Sequence, residues 1–215
     1  MAIVRKSDGL TKSWGSFCNG RGRMPVLIFA VGFLSSCALL KSPPPPRDTY
    51  DLVAPTVGGQ IAGGTPAQVL VKLPTALKSI DSNRMVVRTG RSEITYLAGA
   101  QWSDTVPRLV QAKLVEVFEN TEATGATAKP GDGLVIDVQL VGDLRRFEVQ
   151  QDNRRVLIEM SLKLLSDKSG RVIASKVFTA SSRTSGDEAS DYVSAFDRAF
   201  EEFAVDVVSW VLAKT

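Results

Sequence analysis

From Val156 to Leu164 every second residue is apolar. Val156, Ile158, Met160, Leu162 and Leu164 lie opposite Glu159, Ser161 and Lys163. A period of two puts one set on a core face and the other toward water, which is the pattern of a half-buried strand rather than a helix. Leu134, Ile136, Val138 and Leu140 repeat it around Asp137 and Gln139. Asp167-Lys168-Ser169-Gly170 then separates the first of these runs from the β-formers Val172 to Thr179. A gap of that length ending in glycine predicts a tight hairpin.

The rest of the chain is organised around these strands. Val69-Leu70-Val71, Arg84 to Arg88 and Glu93 to Ala98 are short, β-prone and separated by Asp81-Ser82-Asn83 and Thr89-Gly90. They read as a strand triplet. Two helices are predicted. The first runs from Ser103 to Asn120, with Val106, Leu109, Val110, Leu114, Val117 and Phe118 on one face, Ser103 as N-cap and Pro107 in the first turns. The second runs from about Glu188 to Ala213, with Val193, Phe196, Phe200, Phe203, Val207, Trp210 and Val211 on one stripe and Asp197, Arg198, Glu201, Glu202 and Asp206 on the other face. Each element has one apolar side to bury. The expected fold is therefore α+β: a two-layer sandwich in which a mostly antiparallel sheet is covered on one face by two helices.

The N-terminal residues belong to a different category. Arg21 and Arg23 precede the apolar run Val26 to Leu34, which is followed by Ser35, Ser36 and Cys37. A positive flank, a short apolar stretch and small residues make an export signal. The run is about ten residues, against about 20 needed to span the hydrocarbon core, so it is a poor transmembrane anchor. Leu34-Ser35-Ser36-Cys37 resembles the lipobox of bacterial lipoproteins. That resemblance implies cleavage before Cys37 and lipid attachment to its sulfur, palmitate included; several chains are needed because one alone holds a protein only marginally at a membrane. Without acylation, Cys37 would be a thiol near the cut. Cys18 offers no competing lipobox, because no apolar run precedes Gly15-Ser16-Phe17. A start at Met24 would discard the two arginines.

Removing residues 1–36 takes away five of the 26 basic residues and one of the 23 acidic ones, so the net charge moves from +3 to −1. A basic pI that resides in a discarded signal gives no support for a nucleic-acid partner. Cys18 is lost and Cys37 acylated, which leaves no thiol for a disulfide, a metal or a nucleophile. The remaining chain, 215 residues less the first 36, is long enough to hold one domain by its core alone. Residues 37–66 read as a lipidated tether, with Pro43 to Pro46 extended and Gly58-Gly59 and Gly63-Gly64 flexible. Tyr50-Asp51-Leu52 is expected to dock that tether as a short strand. Residues 67–215 form the domain.

Histidine is absent, and with it the commonest general base and metal ligand. No Gly-Lys-Ser/Thr follows the glycines, so there is no phosphate loop. Asp137 and Glu159 could pair across neighbouring strands, but both fall on the polar phase, where solvated charges belong. Arg145-Arg146 and Arg154-Arg155 bracket Phe147 to Asn153, read as a hairpin turn or strand edge. They offer either a site for acidic headgroups or an acidic partner, or the solvated ends of a loop. Trp102 and Trp210 sit with apolar stripes and read as core. No catalytic, cofactor or metal residue is assigned.

With the elements placed, the chain resembles the ABC-type transport auxiliary lipoproteins, the PqiC-like group. The resemblance is carried by Tyr50-Asp51-Leu52 after the proline-rich segment, by Ser92 to Trp102 leading into a helix with Leu109 and Leu114, by Leu134 to Leu140 running on to Phe147, and by Tyr192 to Phe196 followed by Trp210. It covers nearly all of residues 50–212. It implies a non-enzymatic docking subunit without cofactor, tied to the membrane by its lipid and working with an MCE-type substrate-binding protein, an ABC permease and an ATPase in intermembrane lipid transport. The implied location is the periplasmic side of the cell envelope, at the outer membrane, because Ala38 rather than Asp follows the lipid-bearing cysteine. Self-association stays open. The alternatives are a periplasmic carrier holding an acyl chain between sheet and helices, and a structural envelope lipoprotein.

Overall fold

The structure, a computed structural model, describes residues 46–56, 61 and 63–215. The expected signal, Cys37 and the proline run before Pro46 lie outside these residues. The order is β1 (Asp48–Tyr50), β2 (Gln68–Val71), β3 (Thr75–Ala76), β4 (Val86–Arg88), β5 (Ile94–Tyr96), β6 (Ala100–Trp102), α1 (Val106–Thr121), β7 (Ala126–Ala128), β8 (Val138–Gln150), β9 (Arg155–Ser166), β10 (Val172–Arg183) and α2 (Ala189–Leu212). The long strands β8, β9 and β10 form an antiparallel meander. The short strands β2, β3 and β4 add to β8 in parallel, and β2 also pairs with β7. Both helices cover one face, α2 against β9 and β10 and α1 against β2 and β7. This is the two-layer sandwich that the two periodicities predict.

The core shows why the apolar phases had to fall as they do. Ile158, Met160, Leu162 and Leu164 of β9 are at most 1% exposed, as are Phe196, Phe200, Phe203 and Val207 of α2. Phe147 stacks on Phe196 at 4.5 Å, and Trp102 meets both rings edge-on at 5.6 and 5.3 Å. Three elements distant in sequence are joined at this one cluster. Phe178 meets Phe203 and Trp210 edge-on at 6.2 and 5.4 Å and fixes the other end of α2 to β10. Both tryptophans expected in the core thus pack there, Trp102 fully and Trp210 in part.

Several local expectations change. The strand triplet does not form as one unit: β4 and β5 make an antiparallel hairpin, whereas β2 sits between β8 and β7. Helix α1 begins at Val106 with Thr105 in the N-cap position, because the Ser103 hydroxyl donates to Asp51 at 2.8 Å instead. Residues 134–136 precede β8 and leave Leu134 and Val135 exposed. Pairing starts only where the Asp137 carboxylate accepts the Gln68 N–H and the Asp137 N–H donates to the Gln68 carbonyl. Strand β8 then continues through Phe147 to Gln150, so the turn is confined to Gln151–Arg154. A bulge between Leu144 and Arg146 makes this continuation work. Even-numbered residues face the helices before it, and Phe147 and Val149 face them after it.

Candidate docking surfaces

The segment before β2 is fastened to the domain at several points. Strand β1 runs parallel to β6, pairing Asp48 with Ala100 and Tyr50 with Trp102. Leu52 is wholly buried in the core. Lys113 lies 3.1 Å from the Asp51 carboxylate, and the Val53 N–H donates to Asp197 of α2 at 2.9 Å. Residues 48–53, within the stretch expected as tether, are thus part of the packed unit. The electrostatics of the two carboxylates differ. Burial opposes the charge on Asp51, but the Ser103 hydroxyl and the Lys113 ammonium outweigh it and hold the carboxyl below its usual range. Asp197 is pushed up, by burial first, against the Val53 N–H and Arg198.

The sheet face away from the helices is polar and carries most of the charged residues of β8 and β9. Its one deeply buried ion is Glu148, 2% exposed. Arg88 grips it in bidentate fashion, with Nε and Nη2 each 2.8 Å from a carboxylate oxygen, and Arg146 adds Nη2 at 2.7 Å. The hydrogen bond to Glu148 raises the affinity of Arg88 for its proton further. This cluster closes the β4–β5 hairpin onto β8.

The four arginines singled out in the sequence do not make a shared site. Arg146 is taken by Glu148; Arg145 lies 3.5 Å from Asp143 and 3.9 Å from Glu159; Arg155 donates to Ser181 Oγ at 2.9 Å; Arg154 lies 3.5 Å from Asp187. Asp137 and Glu159 are not brought together either. Val138 pairs with Ser166, whereas Glu159 pairs with Arg146, so the two carboxylates lie about 20 Å or more apart along the strands. Among the described residues no group of three His, Cys, Asp or Glu is placed to hold a metal ion.

Two features escaped sequence reasoning. Glu148 sits on a phase that only the bulge creates. A groove of about 520 Å³ on the open face is lined by Lys72, Leu73, Thr75, Val141, Asp143, Arg145, Ser161 and Lys163, from three separate segments. Lys163 carried a weak signal as a cation on the polar phase of β9; Lys72 carried none.

The layer between sheet and helices, where a carrier would hold an acyl chain, is filled by Phe147, Ile158, Met160, Phe196, Phe200 and Phe203, none more than 1% exposed. A sheet with a charged open face and an anchored N-terminal strap offers surfaces suited to binding. The model of the ABC-type transport auxiliary lipoprotein component family matches residues 50–208, and the chain belongs to that family. An uncharacterized protein of Bradyrhizobium diazoefficiens is 33% identical over 170 residues, 79% of this chain and 46% of that protein. The chain therefore spans about half the length of that relative. The crystal structure of a Xanthomonas campestris protein of the DUF330 family superposes with a TM-score of 0.73 at 27% identity, covering 78% of this chain and 95% of that one. A second, uncharacterized crystal structure shares the fold, with a TM-score of 0.62 at 12% identity over 77% of this chain and 99% of that one. The family is described as a lipoprotein component auxiliary to ABC-type transport, a description that points to the cell envelope. Among the described residues no helix is long and apolar enough to cross a membrane.

Proposed function

We propose that this chain is exported, cleaved before Cys37, acylated on that cysteine and held at the periplasmic face of the outer membrane as a docking module for an ABC-type lipid transport system. Its partners in this reading are an MCE-type substrate-binding protein, a permease and a cytoplasmic ATPase. The observation that carries the reading is the family match across residues 50–208, nearly the whole packed unit. The strap adds a physical argument. Ten residues lie between Cys37 and Asp48, where pairing begins, and the eleven extended steps from one to the other span at most about 40 Å. A domain tied so closely to its lipid would remain near the membrane surface and meet partners there. The filled layer between sheet and helices favours docking over carriage in that space.

Affinity capture of the lipoprotein from gently solubilised envelopes tests the reading. Permease, ATPase and MCE-type subunits are expected together in the eluate. Their consistent absence, with the bait intact and lipid-modified, would remove the transport role.

A further inference from the structure

We propose that the groove on the open sheet face binds the phosphate-bearing headgroup of an anionic lipid, with the start of its acyl chain lying toward β10. The register of the sheet assembles the site. In one row Thr75 of β3, Asp143 of β8, Ser161 of β9 and Val177 of β10 are successive cross-strand partners; in the next, Val141, Lys163 and Ser175 are. Cross-strand partners point to the same face with Cβ atoms about 5 Å apart. Small side chains thus form the floor, with Lys72 and Leu73 from the loop after β2 forming one wall.

Charge selects an anion. Three cations, Lys72, Arg145 and Lys163, line the groove against one acid, Asp143. Arg145 lies 3.5 Å from Asp143, whose Oδ1 also accepts the Thr75 hydroxyl at 3.1 Å. That acid is therefore already offset. Lys72 and Lys163 take part in none of the ion pairs among the described residues, so two charges remain for a ligand. Apolar exposure selects an amphiphile rather than a bare ion: Leu73 and Val177 are each 46% exposed, beside the half-buried Val141. A volume near 520 Å³ lies in the range of small-molecule pockets. That the anion is borne by a transported lipid rests on the envelope-transport reading; the cation geometry does not.

Native mass spectrometry of the mature lipoprotein, released from micelles doped in turn with dioleoyl phosphatidylglycerol, dioleoyl phosphatidylcholine or inorganic phosphate, tests the site. One phosphatidylglycerol is expected per protein. Lys72→Gln with Lys163→Gln is expected to cut its occupancy at least tenfold, and the Arg pair at the same positions to retain it. Val177→Ser is expected to weaken lipid retention several-fold. Equal retention by wild type and the Gln pair, equal retention of the zwitterionic lipid, or inorganic phosphate held as firmly as the lipid would each overturn the assignment. So would a Gln pair that keeps its lipid but loses a captured partner protein, because the groove would then dock protein. Envelope capture reads separately: transporter subunits recovered with no lipid at the groove refute this site alone, and lipid held with no subunits recovered refutes the transport role alone.

Discussion

Arg154 holds a left-handed backbone, φ +49°, in the turn that joins β8 to β9. That region favours glycine, and the Arg154 side chain offers little in return, since its contact with Asp187 is long and exposed on both sides. Arg154→Gly is expected to stabilise the protein by about 0.5–1 kcal/mol in urea unfolding; a loss of stability would mean that the side chain matters more than the backbone. Glu148 is the opposite case, a group whose side chain decides everything. Glu148→Gln keeps its shape but leaves two guanidinium groups facing a neutral amide, and a loss of about 1–3 kcal/mol is expected. No measurable change would mean that water already screens the cluster. Gly125 is constrained by space: a Cβ there would fall 2.1 Å from the Pro66 carbonyl oxygen, a backbone atom with no room to move.

At the scale of elements, the strap β1 and its continuation to Val53 should behave as a structural part and not as a linker. Leu52→Ala removes a wholly buried side chain and is expected to cost about 2–4 kcal/mol, read by chemical denaturation; a loss under half of one would return these residues to the tether. The flanking carboxylates give opposite pH dependences. Asp51 has a folded value below its ordinary 3.8, so its contribution is present above about that pH and is lost as pH falls through the lowered value. Water screens the exposed pair, and the effect is of order 0.5 kcal/mol. Asp197 is raised, so folding weakens as pH climbs from 3.8 through the raised value. Asp197→Asn keeps an oxygen for the Val53 N–H and removes that penalty. Its stability at pH 7 is expected to equal or exceed that of wild type, while Asp51→Asn is expected to flatten the acid limb of the curve.

For the whole molecule, the proposed anchor is tested by Cys37→Ser, which is expected to abolish palmitate labelling and move the protein from the membrane to the soluble fraction; retention at the membrane would require another anchor. The architecture was legible because periods of two and 3.6 declare which face of each element must be buried. Val156 to Leu164 and the Phe196–Phe200–Phe203–Val207 stripe alone imply a sheet under a helix. Partners across the sheet were not legible. The triplet failed because β2 finds its neighbours at β7 and β8, and nothing in a four-residue strand says which edge it joins. The turn around Phe147 failed because one extra residue at Arg145 reverses the alternation, and a phase break reads the same in sequence whether the strand ends or bulges. By itself the sequence determined the class of fold, the export signal pattern and the absence of histidine chemistry, since those depend on residue type and local spacing. Only the tertiary structure decided that Lys72, Arg145 and Lys163 converge while Asp137 and Glu159 do not, because convergence depends on strand order and register, which long-range packing sets.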